Sequence, residues 1–315
     1  MAPRVVKPWL LSTVSKDMAW FGSREAAAVK TEFLRPTGLP TQLAKLDRTA
    51  VMGVLNVTPD SFSDGGRFAT IDLAIARGQE LFSQGADIVD IGGESTRPGA
   101  QRVTLEDELD RTIPVIKALS DQGIPVSIDT MRAQVAQAAV ESGAVIINDV
   151  SGGKADPNMS GFLATIEVPY ILMHWRGHST EMNTLTDYSN VTVDVRQELE
   201  DQASVVCQSG LASNRIVLDP GIGFSKTAEQ NWSLLAQLAS LQELGYPLLV
   251  GASRKKFLGE LLAADGIARD VDERESATTA LTTLLAVAGV WAVRVHDVRA
   301  ARDAIAVVSK MQEAR

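Results

Sequence analysis

Residues 125–153 read PVSIDTMRAQVAQAAVESGAVIINDVSGG, and the fold is decided there. A β-branched apolar run, Val126 to Ile128, stops at Asp129-Thr130. A helix-like segment with apolar Val135, Ala138 and Ala139 follows and is closed by Ser142-Gly143. A second run, Val145-Ile146-Ile147, then stops at Asn148-Asp149. This is one strand-helix-strand unit. Both strands are too apolar to have a wet face, as expected of a parallel sheet covered by helices. Each delivers a short polar side chain where it ends, and in parallel α/β folds that end of the strand is where ligands sit.

The unit recurs on both sides of this stretch. Upstream, a first strand at Val51–Leu55 ends in Asn56 and a long polar loop, NVTPDSFSDGGRF; a helix over Ile71–Ser83 is closed by Gly85. The second strand, Ile88–Ile91, ends in GGESTRPGA, and the next helix runs from its cap Thr104 to Ser120, with Asp107 three residues on. Downstream, a fifth strand at Tyr170–Met173 ends in His174, and a helical segment covers Val191–Ser209. A sixth strand, Ile216–Leu218, ends in Asp219-Pro220-Gly221 and is followed by a helix over Ala228–Leu244. A seventh, Leu248–Val250, ends in GASRKK. An uncharged helix after Glu275 leads to an eighth strand, Ala292–Val295, ending in His296-Asp297, and an amphipathic helix closes the chain from Val298 to Gln312.

Eight strands, each followed by helical sequence, predict a (β/α)8 barrel, the TIM-barrel class of α/β fold. An open sheet of eight would need edge strands more polar than any here. Charge supports the same reading. The chain is acidic, with a net charge of −9, yet Arg67, Arg97, Arg254, Lys255, Lys256, Arg294 and His296 all fall at or just after strand ends. An acidic protein with its cations on one rim expects an anionic ligand there. The same net charge argues against nucleic acid or an anionic membrane as partner, since either would need a basic face. The one uncharged run near membrane length, Ser276–Val293, holds four threonines and breaks at Gly289, so it reads as a buried helix and a strand. The lone Cys207 cannot form an intrachain disulfide and fits a reducing cytoplasm.

Residues 1–48 match nothing that follows. They carry eight Lys/Arg against four Asp/Glu and the prolines Pro3, Pro8, Pro36 and Pro40, without an apolar stretch of signal-peptide type. They read as a peripheral N-terminal extension, with the barrel domain spanning 49–315. Since the barrel begins at Val51, nothing in catalysis demands the extension.

The strand-end segments carry a resemblance. MGVLNVTPDSFSDGG, DIGGESTRPGA, SIDT, INDVSGG, LMHWRG, LDPGIGF, GASRKKFLG and RVHDV, in this order at eight strand ends, resemble the bacterial dihydropteroate synthases from about Val51 to the C-terminus. The resemblance implies condensation of 6-hydroxymethyl-7,8-dihydropterin pyrophosphate with p-aminobenzoate, giving dihydropteroate and pyrophosphate in folate synthesis. It also implies Mg²⁺ as cofactor, a cytoplasmic homodimer and a sulfonamide target.

A pterin offers donors and acceptors on two edges, so its site needs acids and amides converging from different strands. By resemblance Asp219 takes the amino-pyrimidinone edge, as an ionised carboxylate can accept two parallel N–H bonds. Asp129 and Asn148 hold the opposite edge, and Lys255 reaches the ring carbonyl or a neighbouring nitrogen, supported by Arg254. Each acid or amide alone could equally be a helix cap. Asn56, Arg294 and His296 take the pyrophosphate, with Asn56 also touching Mg²⁺. Phe62, Thr96, Arg97 and Pro98 build the p-aminobenzoate slot. Lys256 replaces the serine of many family members, and a cation there suits the aminobenzoate carboxylate. Asp129, Lys255 and Arg97 are the expected catalytic groups, while His174 is expected on the pocket floor or in a structural role. Two rival readings remain. A methyltetrahydrofolate-binding methyltransferase domain would share the Asp/Asn set but have no use for the TRPGA and DSFSDGG loops. A non-catalytic pterin-binding paralogue would show broken motifs, and none is broken here.

Overall fold

The computed structural model describes residues 33–58, 67–95, 102–178 and 180–314. Its strands are β1 Ala50–Asn56, β2 Ile88–Gly92, β3 Val126–Asp129, β4 Ile146–Asp149, β5 Tyr170–Met173, β6 Ile216–Asp219, β7 Leu249–Val250 and β8 Ala292–Val295. All neighbours pair in parallel in the order β6-β5-β4-β3-β2-β1-β8-β7. A bridge between Leu218 and Leu248 joins the two ends and closes the ring. The barrel expected from the sequence is therefore present.

The helices are α1 Thr41–Ala44, α2 Arg67–Ser83, α3 Leu105–Ser120, α4 Ala133–Glu141, α5 Met159–Leu163, α6 Val191–Gln208, α7 Ala228–Ala236, α8 Leu238–Gln242, α9 Lys256–Leu261, α10 Glu275–Val287 and α11 Val298–Glu313. Thr104 caps α3 by accepting from the Asp107 backbone N–H, as the sequence suggested. The helix expected over 228–244 is instead two: Gln237, with φ −118° and ψ 27°, interrupts it between α7 and α8.

The strands sort their side chains with period two. Val51, Val89, Ile91, Val126, Ile128, Ile147, Leu172, Leu218 and Val293 face outward and pack against the helices in the larger core. Met52, Ile88, Ile146, Ile171, Val217, Leu249 and Ala292 alternate with them and fill the inside of the barrel in a second core. Residues two places further along the same strands are therefore also inside, and there the apolar filling gives way to polar groups.

The opposite end of the interior is closed by residues that precede the first strand. Leu43 of α1 is buried in the inner core, with Leu39 and Leu46 packed against it. Thr37 N–H donates to Asn214 O at 2.8 Å, and Arg48 forms a two-pronged ion pair with Asp87, at 2.7 and 2.8 Å. Gly38 sits at φ 89°, where a Cβ would lie 2.1 Å from Glu167 O, so only glycine fits. The compact barrel unit accordingly spans Phe33–Arg315. The division at residue 48 thus moves: 33–48 form part of the barrel, because three leucines there cover an otherwise open apolar end.

Candidate functional site

At the C-terminal mouth, the inward phase of the strands brings Asp90 from β2, Asp129 from β3, Asn148 from β4, Asp219 from β6 and Arg294 from β8 onto one polar layer. Backbone register sets Asn56, Gly92, Asp129 and Asn148 side by side, while Asp90 and Arg294 reach up to them from lower rungs of β2 and β8 through their side chains. The Arg294 guanidinium ties the layer together. Its Nε donates to Asp90 Oδ2 at 2.6 Å and its Nη2 to Asp129 Oδ2 at 2.7 Å, while Asn148 Nδ2 donates to the same Asp90 oxygen at 3.1 Å. The other Asp90 oxygen, Oδ1, is buried without a hydrogen-bond partner among the described residues. A buried carboxylate with an idle acceptor is a site prepared for a donor.

Burial dominates the electrostatics. It pushes the Asp129 carboxyl above its ordinary range, with Arg294 opposing and Asp90, Glu108 and Asp149 reinforcing. Burial likewise raises Asp219 to about 6, against the Gly221 N–H it accepts and the charges of Lys255, Arg294 and Lys226. Lys255 is lowered to about 8 by burial and by Arg294, with Asp219 and Asp129 acting the other way. Burial works against the charge on Arg294 too, but the two aspartates outweigh it and hold the guanidinium firmly protonated.

Lys255 is directed inward by the residue before it. Arg254 takes φ 58°, rare for a non-glycine residue, and is held there by ion pairs to Glu275 at 2.9 Å and Asp272 at 3.5 Å. Arg254 therefore supports the loop. Lys255 Nζ lies 4.1 Å from the centroid of the Phe224 ring, within cation–π range. Phe224 also lines a shallow cleft with Met131, Val150, Trp175, His178 and Met182, residues that follow the ends of β3 to β6. The Phe224 ring thus links Lys255 and the polar layer to a partly apolar cleft.

The remaining expected residues divide. Asn56 stands half-buried at the end of β1, and a Cβ on Gly92 would lie 3.8 Å from its Oδ1 and 3.6 Å from Asp129 Oδ2. Ser253 Oγ accepts from the His296 backbone N–H at 3.2 Å and lies 3.0 Å from the ring Nδ1, which fixes the ring at the end of β8. Lys256 is not part of the cluster: its side chain is 84% exposed and pairs with Glu260 at 2.9 Å on the outside of α9. With Lys255 as the inward N-cap, the next residue along the helix faces away. Phe62, Thr96, Arg97 and Pro98 lie outside the described residues. His174 is fully buried just past the end of β5, where its ring bonds to Glu198 of α6 rather than entering the layer.

Sequence reading centred on the residues where strands stop and so missed Asp90, which lies inside β2 in phase with Ile88. It also missed Lys226, whose Nζ is buried beside His174. The period-two phase of DIGG would have found the first; nothing local in FSKT distinguishes the second.

Residues 52–296 match the family described as pterin binding enzyme. The dihydropteroate synthase of Mycobacterium leprae is 52% identical over 260 residues, covering 82% of this chain and 92% of that protein. The structure of Xanthomonas albilineans dihydropteroate synthase with 4-aminobenzoic acid superposes with a TM-score of 0.77 at 42% identity, over 84% of this chain and 94% of that one. The Yersinia pestis dihydropteroate synthase in complex with a sulfonamide drug gives 0.80 at 37% identity, over 89% and 99%.

Proposed function

From the premise that this chain belongs to the pterin-binding enzymes, and among them to the dihydropteroate synthase family, we propose a division of labour within its polar layer. The enzyme is a transferase of folate synthesis that joins 6-hydroxymethyl-7,8-dihydropterin pyrophosphate to p-aminobenzoate and releases pyrophosphate. The observation that supports the division is the convergence of Asp129, Asn148, Asp219, Lys255 and Arg294 at one barrel mouth. Incubation with both substrates and Mg²⁺ tests the activity, dihydropteroate being the expected product.

Asp219 accepts the two N–H groups of the amino-pyrimidinone edge, and Lys255 donates to the ring carbonyl or a neighbouring nitrogen. Asn148 and Asp129 meet the opposite edge, with Asp90 Oδ1 as a further buried acceptor. Arg294 has five N–H donors, of which the aspartates occupy two, so others remain for phosphate oxygens together with Asn56 and His296. Among the described residues no three His, Cys, Asp or Glu side chains gather as a metal cage. A single hard oxygen, Asn56 Oδ1, fits a Mg²⁺ that is held mainly by phosphate and water. When bound, the ion supplies charge neutralisation to the leaving group.

No nucleophilic side chain is required. The C–O bond to pyrophosphate breaks with its electron pair leaving on the phosphate oxygen, and the pterin ring delocalises the positive charge left on the exocyclic methylene. Asp129, already placed and desolvated, stabilises that cation electrostatically. The aryl amine of p-aminobenzoate then forms the C–N bond and releases its proton to solvent or pyrophosphate. Phe62, Thr96, Arg97 and Pro98 form the aminobenzoate slot, which a sulfonamide would also occupy. Because Lys256 points outward, we assign it no contact with the carboxylate.

We place the enzyme in the cytoplasm, in keeping with its lone Cys207 and acidic charge; among the described residues no helix is long and apolar enough to cross a membrane. A homodimer through α10, where Leu284 and Val287 are exposed, is tested by sedimentation of the wild type against a Leu284→Glu variant.

A further inference from the structure

Behind the ends of β5 and β6, toward α6, lies a chain of charged groups that no step above uses. Lys226 Nζ donates three hydrogen bonds: to His174 Nδ1 at 3.0 Å, to Gly221 O at 3.1 Å and to Phe224 O at 3.1 Å. Those are all the donors an ammonium has. His174 Nε2 faces Glu198 Oε2 at 2.9 Å, so Nε2 must carry the ring proton and Nδ1 must accept. Glu198 in turn accepts from Arg176 Nε at 3.1 Å and from Arg176 Nη2, and its side chain reaches the surface at 30% exposure.

The inner end of this chain acts on Asp219. Gly221, whose carbonyl Lys226 holds, donates its own N–H to Asp219 Oδ1 at 2.8 Å. His174 N–H donates to Asp219 O at 2.8 Å. Phe224, whose carbonyl Lys226 also holds, is the ring beside Lys255. Gly221 is at φ 66°, and a Cβ there would lie 2.5 Å from His174 O, so only glycine lets the loop close on that carbonyl with the Lys226 ammonium in contact beside it, 3.4 Å from the Cβ position. Ser225, at φ 47°, turns the chain so that the lysine points in.

We propose that Lys226 is a positioning residue for the pterin-binding carboxylate: its buried ammonium fastens the loop between β6 and α7 and keeps Asp219 ionised and turned inward. The inference rests on the assignment of Asp219 to the pterin.

The groups facing Lys226 are Asp219 on β6, Glu198 on α6, Arg176 after β5 and Lys255 after β7, with Lys154 facing His174. Burial lowers Lys226 to about 7, with Asp219 and Glu198 opposing and Arg176 and Lys255 reinforcing. Burial and Lys226 lower His174 to about 4, so the shared proton resides on the lysine. The competent state therefore has Asp219 ionised and Lys226 protonated. Pterin affinity should fall below about 6, as Asp219 protonates, and begin to fall above about 7, as Lys226 loses its proton.

The test measures binding of 6-hydroxymethylpterin, which has no titrating phosphate, between pH 5.5 and 9 by calorimetry. With Asp219 raised by about one pKa unit, Lys226→Met should bind about twofold more weakly at pH 7 and roughly eightfold more weakly at pH 5.5, any further loss reporting the loosened loop. It should move the acid limb upward and delay the alkaline fall until Lys255 titrates near 8. In turnover, KM for the pterin substrate should rise more than kcat falls. Glu198→Gln keeps an acceptor for His174 but removes the charge that helps retain the proton on Lys226, so its alkaline limb should start at lower pH. A Lys226→Met profile parallel to the wild type, at whatever affinity, overturns the proposal. Should that variant not fold, an unmoved alkaline limb in Glu198→Gln does the same. Wild type that fails to bind the pterin refutes the site assignment itself, whereas normal binding with unshifted variants refutes the role of Lys226 alone.

Discussion

Replacing Asp219 by asparagine exchanges one carboxylate oxygen for an N–H that faces the N–H donors of the amino-pyrimidinone edge. Two buried donors then oppose each other, and the loss should reach several kcal/mol. Pterin pyrophosphate binding by calorimetry should collapse in Asp219→Asn while the melting temperature stays within a few degrees; unchanged affinity would remove Asp219 from the site. The same group predicts a pH dependence with a definite sign. Asp219 in the ligand-free protein is raised to about 6, and only its ionised form accepts two N–H bonds. Affinity for the pterin should therefore be level just above that value and fall about tenfold per unit below it. A level profile down to pH 5 would mean that another group holds this edge. Lys255 and Lys256 show what single residues concede to a sequence reader: GASRKK announces a cationic loop, but the inward turn belongs to the backbone. Arg254 at φ 58° and the start of α9 at Lys256 decide which lysine enters the site, and neither is written in the charges.

At the scale of elements, Asn148 and Asp149 are neighbours in β4 with opposite fates, because successive strand residues face opposite sides. Asn148 enters the polar layer. Asp149 faces outward and is fully used: it accepts from the Ser151 N–H at 2.8 Å, the Ser151 hydroxyl at 2.7 Å, the Gly153 N–H at 2.8 Å and the Tyr170 hydroxyl at 2.9 Å. Asp149→Ala would leave those four donors without their acceptor in a buried turn, at a cost of about 3–5 kcal/mol. The melting temperature should drop by roughly 10 °C, with KM for both substrates within a few-fold at low temperature. A melting temperature within 2 °C of wild type would show that water replaces the carboxylate. This alternation is also why the fold was legible: apolar runs that stop at polar residues mark strands and their C-terminal ends directly. Asp129 and Asp219 stand at those ends, and Asn148 and Arg294 one residue short of them, so the mouth could be read from the strand pattern, while the role of Arg294 came from the resemblance. Asp90 was not found, since it belongs to the interior of a strand, and Lys226 was not, since its partners are His174, which follows β5, and two carbonyls of its own loop. The break at Gln237 escaped for a related reason, as no proline or glycine marks it.

The barrel as a whole has two ends, and they depend on different parts of the chain. The mouth is built from strand ends throughout the sequence, whereas the opposite end is closed by the short segment before β1. Leu43 is buried in the inner core there, with Leu39 and Leu46 against it and Trp291 and Ala50 beside them. Sequence reading placed these leucines in a dispensable extension because a four-residue helix has too little periodicity to register. Their contribution can be weighed: one buried and two half-buried leucines amount to roughly 3–6 kcal/mol of apolar burial. Against a total stability of about 5–15 kcal/mol, that is a large share. Two truncations should therefore behave differently. Removing residues 1–32 leaves the compact unit Phe33–Arg315 whole, so activity should stay within a few-fold and the melting temperature within a few degrees. Removing residues 1–46 uncovers the inner core from below. It also deletes the anchor of Thr37 on Asn214, which ties this segment to the turn before β6. That protein should melt at least 10 °C lower or fail to accumulate in soluble form, and any soluble fraction should retain its KM values, because every residue of the mouth is still present. Equal melting temperatures for the two truncations would show that the lower end of the barrel closes without the segment before β1, and the boundary of the domain would then return to about residue 48.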